Sequence, residues 1–471
     1  MIVKIKGCLN TMMKVIVLIT VLEIIFGVNG RLLIIYGIPI RYILFGMITL
    51  GVYGKCLFIF WNKYHLQKRN FLEFLKKEIV LFKYFDLVLL IFLIMNLLWV
   101  FVIPVNSGSS VIEALYSVKY LILMVIYFPV VYLIRQDKIE WTYYRKIALI
   151  GVTLIIGLHI FLYIGESIQK EIDPSVRFAE RLFAVWRKVV NGHCYFSPVL
   201  MPKYSVRIIY TFGYILFLGF YFVLNSKKLL FLIIYSSVTM LALLTTGTRT
   251  IVIAPFIGLV AFFLFRNLIL KKPLLHKRSL GYLMFLIAIM LLFDSTFFGG
   301  RTTLRLLNSY KVSSEVIDTG KMFNITYENT DYTIDKEIAG TVNSNTSRVL
   351  QIKSIIESFK IRPLFGYGYG SMGVTDISKV AYYDMQGATL LMRGGLVGVS
   401  MWMAYIIYLC LYMMKQGGMG NNYCFSFIYI IVSVFLSAQL NGTLQTMTML
   451  MILYCYLDCD YEITRRHKQI V

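Results

Sequence analysis

Six arginines and a few acids carry the chemistry this sequence can offer. Arg249 stands in "TTGTRT", between two apolar runs joined by almost nothing. An ionisable residue so near a membrane interior is costly and usually functional. Arg301 and Arg305 follow in "GGRTTLRLL", and Arg348, Arg362 and Arg393 bracket the second half of the next polar stretch. Guanidinium groups present rigid forks of donors that match phosphate oxygens. Several at one membrane face suit a lipid pyrophosphate, whose charge they would neutralise without a metal. Each arginine alone is also read as a headgroup contact or a snorkelling anchor. The acids are Asp384, beside Gln386 in "YYDMQGATLLMRGG", and Asp376 earlier. A carboxylate among arginines is either an ion-pair partner or a group that orients or deprotonates a hydroxyl.

The stretch "RPLFGYGYGSMG", residues 362–373, is dense in glycine. From Gly368 it matches G-x-G-x-x-G. A dinucleotide site needs a buried strand before those glycines and a helix after them. Here an amphipathic segment and Pro363 precede them, which excludes that site. Gly366, Gly368 and Gly370 allow positive φ and close backbone approach. Their N–H groups could line an anion-binding concavity beside Arg362; the plainer alternative is a turn back into the membrane. Histidine offers little. His193, beside Cys194, is the one His of the outer loops, and His159 falls inside a span, packed or lining a cavity. The seven cysteines show neither metal-ligand spacing nor a disulfide framework.

The elements that must position these residues are helices. Hydrophobic residues make up 58% and charged ones 15% of the 471, against about 45–50% and about 25% in soluble domains. Twelve apolar runs are expected to span, at about 15–30, 42–61, 84–104, 116–134, 147–164, 207–224, 229–246, 251–265, 279–296, 388–414, 425–440 and 444–457. They are apolar all round, so an all-α bundle is expected and a β-barrel is not. The first run leads into further spans, so no cleavable signal is expected. The net charge of +23 lies mostly between spans, which argues for topology and against nucleic acid. The short turns assigned to the outside hold only Arg31, Arg41 and Arg249. Both termini are therefore expected in the cytoplasm.

Two long loops then face outward, at 165–206 and 297–387, the second between spans 9 and 10. In the first, "DPSVRFAERLFAVWRKVV" has the spacing of a helix in the membrane–water interface or a lid on the bundle. In the second, "SRVLQIKSIIESFKI" predicts an amphipathic helix with Val349, Ile352, Ile356 and Phe359 on one stripe, ended by Pro363.

From about Leu229 to Gly398 the chain resembles the O-antigen polymerase and ligase family of bacterial membrane glycosyltransferases. "TTGTRT" resembles the family's Ser/Thr–Gly–Arg turn. "SRVLQIKSIIESFKIRPLFGYGYGS" is similar to its Arg-containing helix followed by Pro-Leu-x-Gly-x-Gly. "GGLVGV" resembles its entry to the tenth span. Where the family usually has His or Asp followed by Asn, this chain has Asp384 and Met385. The resemblance implies one GT-C-like membrane domain over 1–471, in a bacterial cytoplasmic membrane. It implies transfer of a glycan from undecaprenyl pyrophosphate at the outer face, with no nucleotide, metal or other cofactor. Arg249, Arg301, Arg305 and Arg348 would hold the pyrophosphate. Arg362, Arg393, Gln386 and the glycines would complete the site, and Asp384 would act on the acceptor hydroxyl. A repeat-unit polymerase is favoured over a ligase, since ligases usually carry His in the Asp384 slot. A chain-length regulator and a flippase are the expected protein partners. A flippase or transporter is the alternative of another class, but no related halves are seen.

Overall fold

In the computed structural model the described residues are 2–26, 34–35, 38–65, 84–107, 111–118, 122–136, 139–173, 178, 199–200, 206–207, 213–271, 277–300, 302–303, 351–371, 373, 386–417, 422–440 and 447–470. They form an all-α membrane protein. In the expected runs lie α1 (Ile2–Phe26), α2 (Ile40–Ile59), α3 (Tyr84–Leu97), α4 (Ile122–Arg135), α5 (Trp141–Ile172) and α6 (Phe217–Leu224). They are followed by α7 (Leu229–Thr245), α8 (Arg249–Ile269), α9 (Lys277–Phe298), α10 (Gln386–Gly417), α11 (Asn422–Leu440) and α12 (Met447–Ile470). Two short antiparallel ladders, Ile34–Ile35 with Ile38–Pro39 and Val199–Leu200 with Val206–Arg207, are the strands among these residues.

Six described segments are long and apolar enough to cross a membrane: Ile40–Asn62, Asp86–Asn106, Trp141–Gln169, Arg249–Ile269, Ser279–Phe298 and Gly387–Met413. Ile126–Arg135, Leu229–Thr245 and Asn422–Ser437 are apolar but shorter than the ~20 residues of a full crossing. The helices pack through one continuous core. Close contacts use small residues, as expected where helices meet without help from water. Gly258 of α8 lies so near α11 that a Cβ there would come within 2.8 Å of the Tyr429 carbonyl. Large apolar side chains such as Leu50, Phe58 and Leu229 point outward, as they must toward lipid.

Ion pairs fix which helix ends share a pole. Arg135, ending α4, bonds Asp86 at the start of α3 (2.6 Å) and Asp460 near the end of α12 (3.0 Å). Arg145, starting α5, bonds Asp458 (2.6 Å) and Glu462 (2.9 Å) of α12. The starts of α3 and α5 therefore meet the end of α12. Their C-terminal ends lie at the opposite pole. Every described candidate residue belongs to that second pole.

Candidate active site

The second pole is built in two parts. One is the α7–α8 turn. The Thr245 and Thr246 hydroxyls bond the carbonyls of Ala242 and Leu243, three residues back, a habit that competes with helix continuation. Gly247 takes φ 57° and reverses the chain. Arg249 is the first residue of α8, and no side-chain hydrogen bond caps that end. A helix N-terminus concentrates positive partial charge, so Arg249 and the α8 dipole favour an anion together. Arg249 is half-buried. His159 of α5 lies inside the bundle, as its apolar surroundings in the sequence suggest. Its Nδ1 is 3.2 Å from Thr245 Oγ1, which ties α5 to this turn. Tyr163, one turn on, donates to the Phe297 carbonyl at 2.6 Å and brings the end of α9 to the same pole.

Asp294 near the end of α9 was not singled out from the sequence, and it organises "GGRTT". Its Oδ1 accepts from Thr302 N–H (3.0 Å), and its Oδ2 accepts from Thr303 N–H (2.8 Å) and hydroxyl (2.7 Å). Its carbonyl accepts from Gly300 N–H at 2.8 Å. Asp294 thus holds both neighbours of Arg301, Gly300 through its backbone carbonyl and Thr302 through its buried carboxylate.

The other part is the glycine stretch, which fits into a broken helix. Inside α10, Gly395 has φ 60° and ψ −166°, a region open essentially to glycine alone. The break frees backbone groups that lipid cannot satisfy. The glycine stretch satisfies them. Tyr367 and Gly368 donate to the carbonyls of Met392 and Arg393 at 3.1 and 2.8 Å, while Leu396 and Val397 donate to those of Pro363 and Leu364 at 2.8 and 3.0 Å. A Cβ on Gly366 would sit 2.5 Å from the Met392 carbonyl oxygen, and one on Gly368 would sit 2.6 Å from the Pro104 ring. The glycines are therefore required by close approach as well as by positive φ.

A π-helical turn, Leu98–Val102, follows α3 and receives the other side of the stretch. The Trp99 carbonyl accepts from Tyr369 N–H at 2.9 Å, and its indole N–H donates to the Phe365 carbonyl at 2.9 Å. Gly398 leaves room for that indole, its Cβ position lying 3.4 Å from the ring. The Ser107 hydroxyl donates to the Tyr367 carbonyl at 2.6 Å. Tyr369 Oη donates to Asn96 Oδ1 at 2.8 Å and accepts from Trp402 Nε1 at 3.2 Å. With Gly366 N–H on the Arg362 carbonyl, the N–H groups from Gly366 to Tyr369 are all bonded to protein carbonyls. They are not donors for an anion concavity. The glycines shape the site; they do not bind charge with these amides.

Two arginines are displayed by this assembly. The Arg362 guanidinium lies 4.9 Å from the Tyr367 ring centroid and donates to the Asn106 carbonyl at 3.4 Å. Arg393 Nε donates to the Ser371 carbonyl at 3.3 Å. The structure thus joins Arg362, Gly366, Gly368, Gly370 and Arg393 in one unit. Arg249 belongs to the separate α7–α8 turn at the same pole. Gln386 opens α10. Arg301, Arg305, Arg348, Asp376, Asp384, His193 and Cys194 lie outside the described residues, as does most of both long loops. In the first loop, Phe178 packs on Phe161 of α5 with centroids 5.5 Å apart.

No curated protein matches the chain. The O-antigen ligase family model matches residues 229–403. That span runs from α7 through the α7–α8 turn and the glycine stretch to the broken part of α10. Over residues 229–403 the chain is therefore similar to the O-antigen ligase family.

Proposed function

We propose that this protein is a polysaccharide repeat-unit polymerase. It acts on undecaprenyl-pyrophosphate-linked glycans at the outer face of the bacterial cytoplasmic membrane, both termini lying in the cytoplasm. The acceptor is the sugar end of a second lipid-linked unit. Its hydroxyl oxygen attacks the anomeric carbon of the donor glycan, the bond from that carbon to the pyrophosphate breaks, and undecaprenyl pyrophosphate leaves. Asp384 takes or directs the hydroxyl proton. Arg249, Arg301, Arg305 and Arg348 hold the pyrophosphate and stabilise its growing charge, so no metal is needed. Arg362, Arg393 and Gln386 complete the wall, with Gly366, Gly368 and Gly370 shaping it.

The observation that carries this reading is the sharing of one pole by Arg249, Arg362 and Arg393, all within the family match. A transporter would instead spread such charges along a path through the bilayer. The deciding experiment is the mass profile of undecaprenyl-linked glycans in a strain lacking the protein. Accumulated single repeat units without long chains support the polymerase. Long polymer left on its lipid identifies a ligase. An unchanged profile overturns glycan assembly and favours a transporter.

A further inference from the structure

Residues 351–361 form a helix with three faces. Gln351, Ser354, Ile355 and Ser358 are buried against the bundle, with Ile355 packed among Tyr367 and Met392. Next around the helix come Ile352 and Ile356, one turn apart and 38% and 43% exposed. Beyond them stand Lys353, Glu357 and Lys360, all exposed. Val349 of the stripe read from the sequence lies outside the described residues. Ile352 and Ile356 of that stripe are thus turned away from the protein and Phe359 is half-buried, while two serines, a glutamine and Ile355 face it. A helix covering a soluble core would do the reverse. Three faces in this order suit a helix at a bilayer rim, with protein on one side, hydrocarbon on the next and water on the third.

The apolar stripe does not end with the helix. Leu364 and Phe365, just past its end, are also apolar and more than half exposed, whereas Ile361, exposed too, lies on another face of the last turn. Through the bonds from Leu396 and Val397 to Pro363 and Leu364 the stripe meets exposed Leu396 and Val397 of α10. Below the break, residues 396–413 rise about 27 Å at 1.5 Å per residue, close to the ~30 Å hydrocarbon layer. That length lets the break sit at the edge of the hydrocarbon. The stripe is continuous with the lipid-facing surface of a membrane-length helix.

We propose that the 351–361 helix lies in the membrane interface, its Ile352–Ile356–Leu364–Phe365 face seated in the acyl chains of the nearer leaflet. Lys353 and Lys360 reach the headgroups. The partner is the bilayer itself. Arg362, joined to the helix by its N–H bond to the Ser358 carbonyl, is then held at phosphate depth.

The test uses the full chain with its reactive native thiols replaced, reconstituted in vesicles of phosphatidylethanolamine and phosphatidylglycerol. A nitroxide is placed in turn at Ile356→Cys, Ile352→Cys and Glu357→Cys. Relaxation by dissolved oxygen and by a water-soluble nickel chelate is compared. Labels at positions 352 and 356 should respond to oxygen far more than to nickel, and the label at 357 should do the opposite. Equal nickel access at all three places the helix in water and overturns the proposal. Shielding of 352 and 356 from both reagents shows a protein cover and overturns it as well. The readout needs no enzymatic activity, so it stands or falls apart from the polymerase reading.

Discussion

Gly395 shows how much one residue decides here. Its backbone lies where any side chain adds strain of about 1–3 kcal/mol, and a Cβ would also meet Gly366 N at 2.7 Å. Gly395→Ala should therefore lower the detergent-solubilised melting temperature and abolish polymer. Gly394→Ala is its internal control. A Cβ at Gly394 meets nothing closer than Val399 N at 3.6 Å, and helix propensity favours alanine by up to ~1 kcal/mol. That variant should keep its stability and its polymer. A second residue-scale outcome concerns Arg249. Arg249→Ala should fold normally yet lose ~100-fold or more in turnover, as for one removed transition-state donor. Labelled lipid-linked repeat units in vesicles would measure it, and undiminished turnover would remove Arg249 from the site. Arg249 and the glycines were legible because local patterns announce them. Asp294 was not, because its acceptors serve backbone N–H groups eight and nine residues ahead and match no local capping signature.

At the scale of elements, the apolar runs located the helices, while the devices that hold the site escaped. A break at Gly395 is satisfied by residues 363–368, and the π-turn after α3 is engaged by Phe365 and Tyr369. Each device depends on a partner far away in the chain, and periodicity sees only neighbours. Ile352 and Ile356 do share one face of the 351–361 helix, but periodicity does not say whether protein or lipid covers it. Asp294 provides the test at this scale. Asp294→Ala leaves the Thr302 and Thr303 amides without that acceptor, a cost of about 1–3 kcal/mol. Because the released residues directly follow Arg301, turnover should fall by more than stability does. Asp294→Asn keeps one acceptor oxygen and should recover part of both. Equal loss in melting temperature and turnover for the two variants would reduce Asp294 to a structural cap.

The whole molecule is clamped at the pole opposite the site. In the sequence, Arg135 and Arg145 read only as basic charge marking the cytoplasmic side. The structure shows each one bonded to carboxylates, with Arg135 and Asp460 325 residues apart in the chain. No local pattern reveals such a partner. The Arg135 side chain is 4% exposed, and those of Asp86 and Asp460 are 2% and 4%, with the Tyr127 hydroxyl donating to Asp86 at 2.7 Å. Buried pairs gain little over apolar packing but cost heavily when halved. Arg135→Met should therefore destabilise the bundle by about 3–5 kcal/mol, seen as a large drop in melting temperature and yield. Replacing all three, as Asp86→Leu, Arg135→Met and Asp460→Leu, removes the stranded charges and should restore most of the loss. If the triple variant is as unstable as the single one, the triad contributes more than ion pairing. If it regains stability but inserts in mixed orientations, Arg135 contributes to topology, as the positive-inside rule expects. Both readouts come from the same membranes, so packing and orientation can be separated in one series.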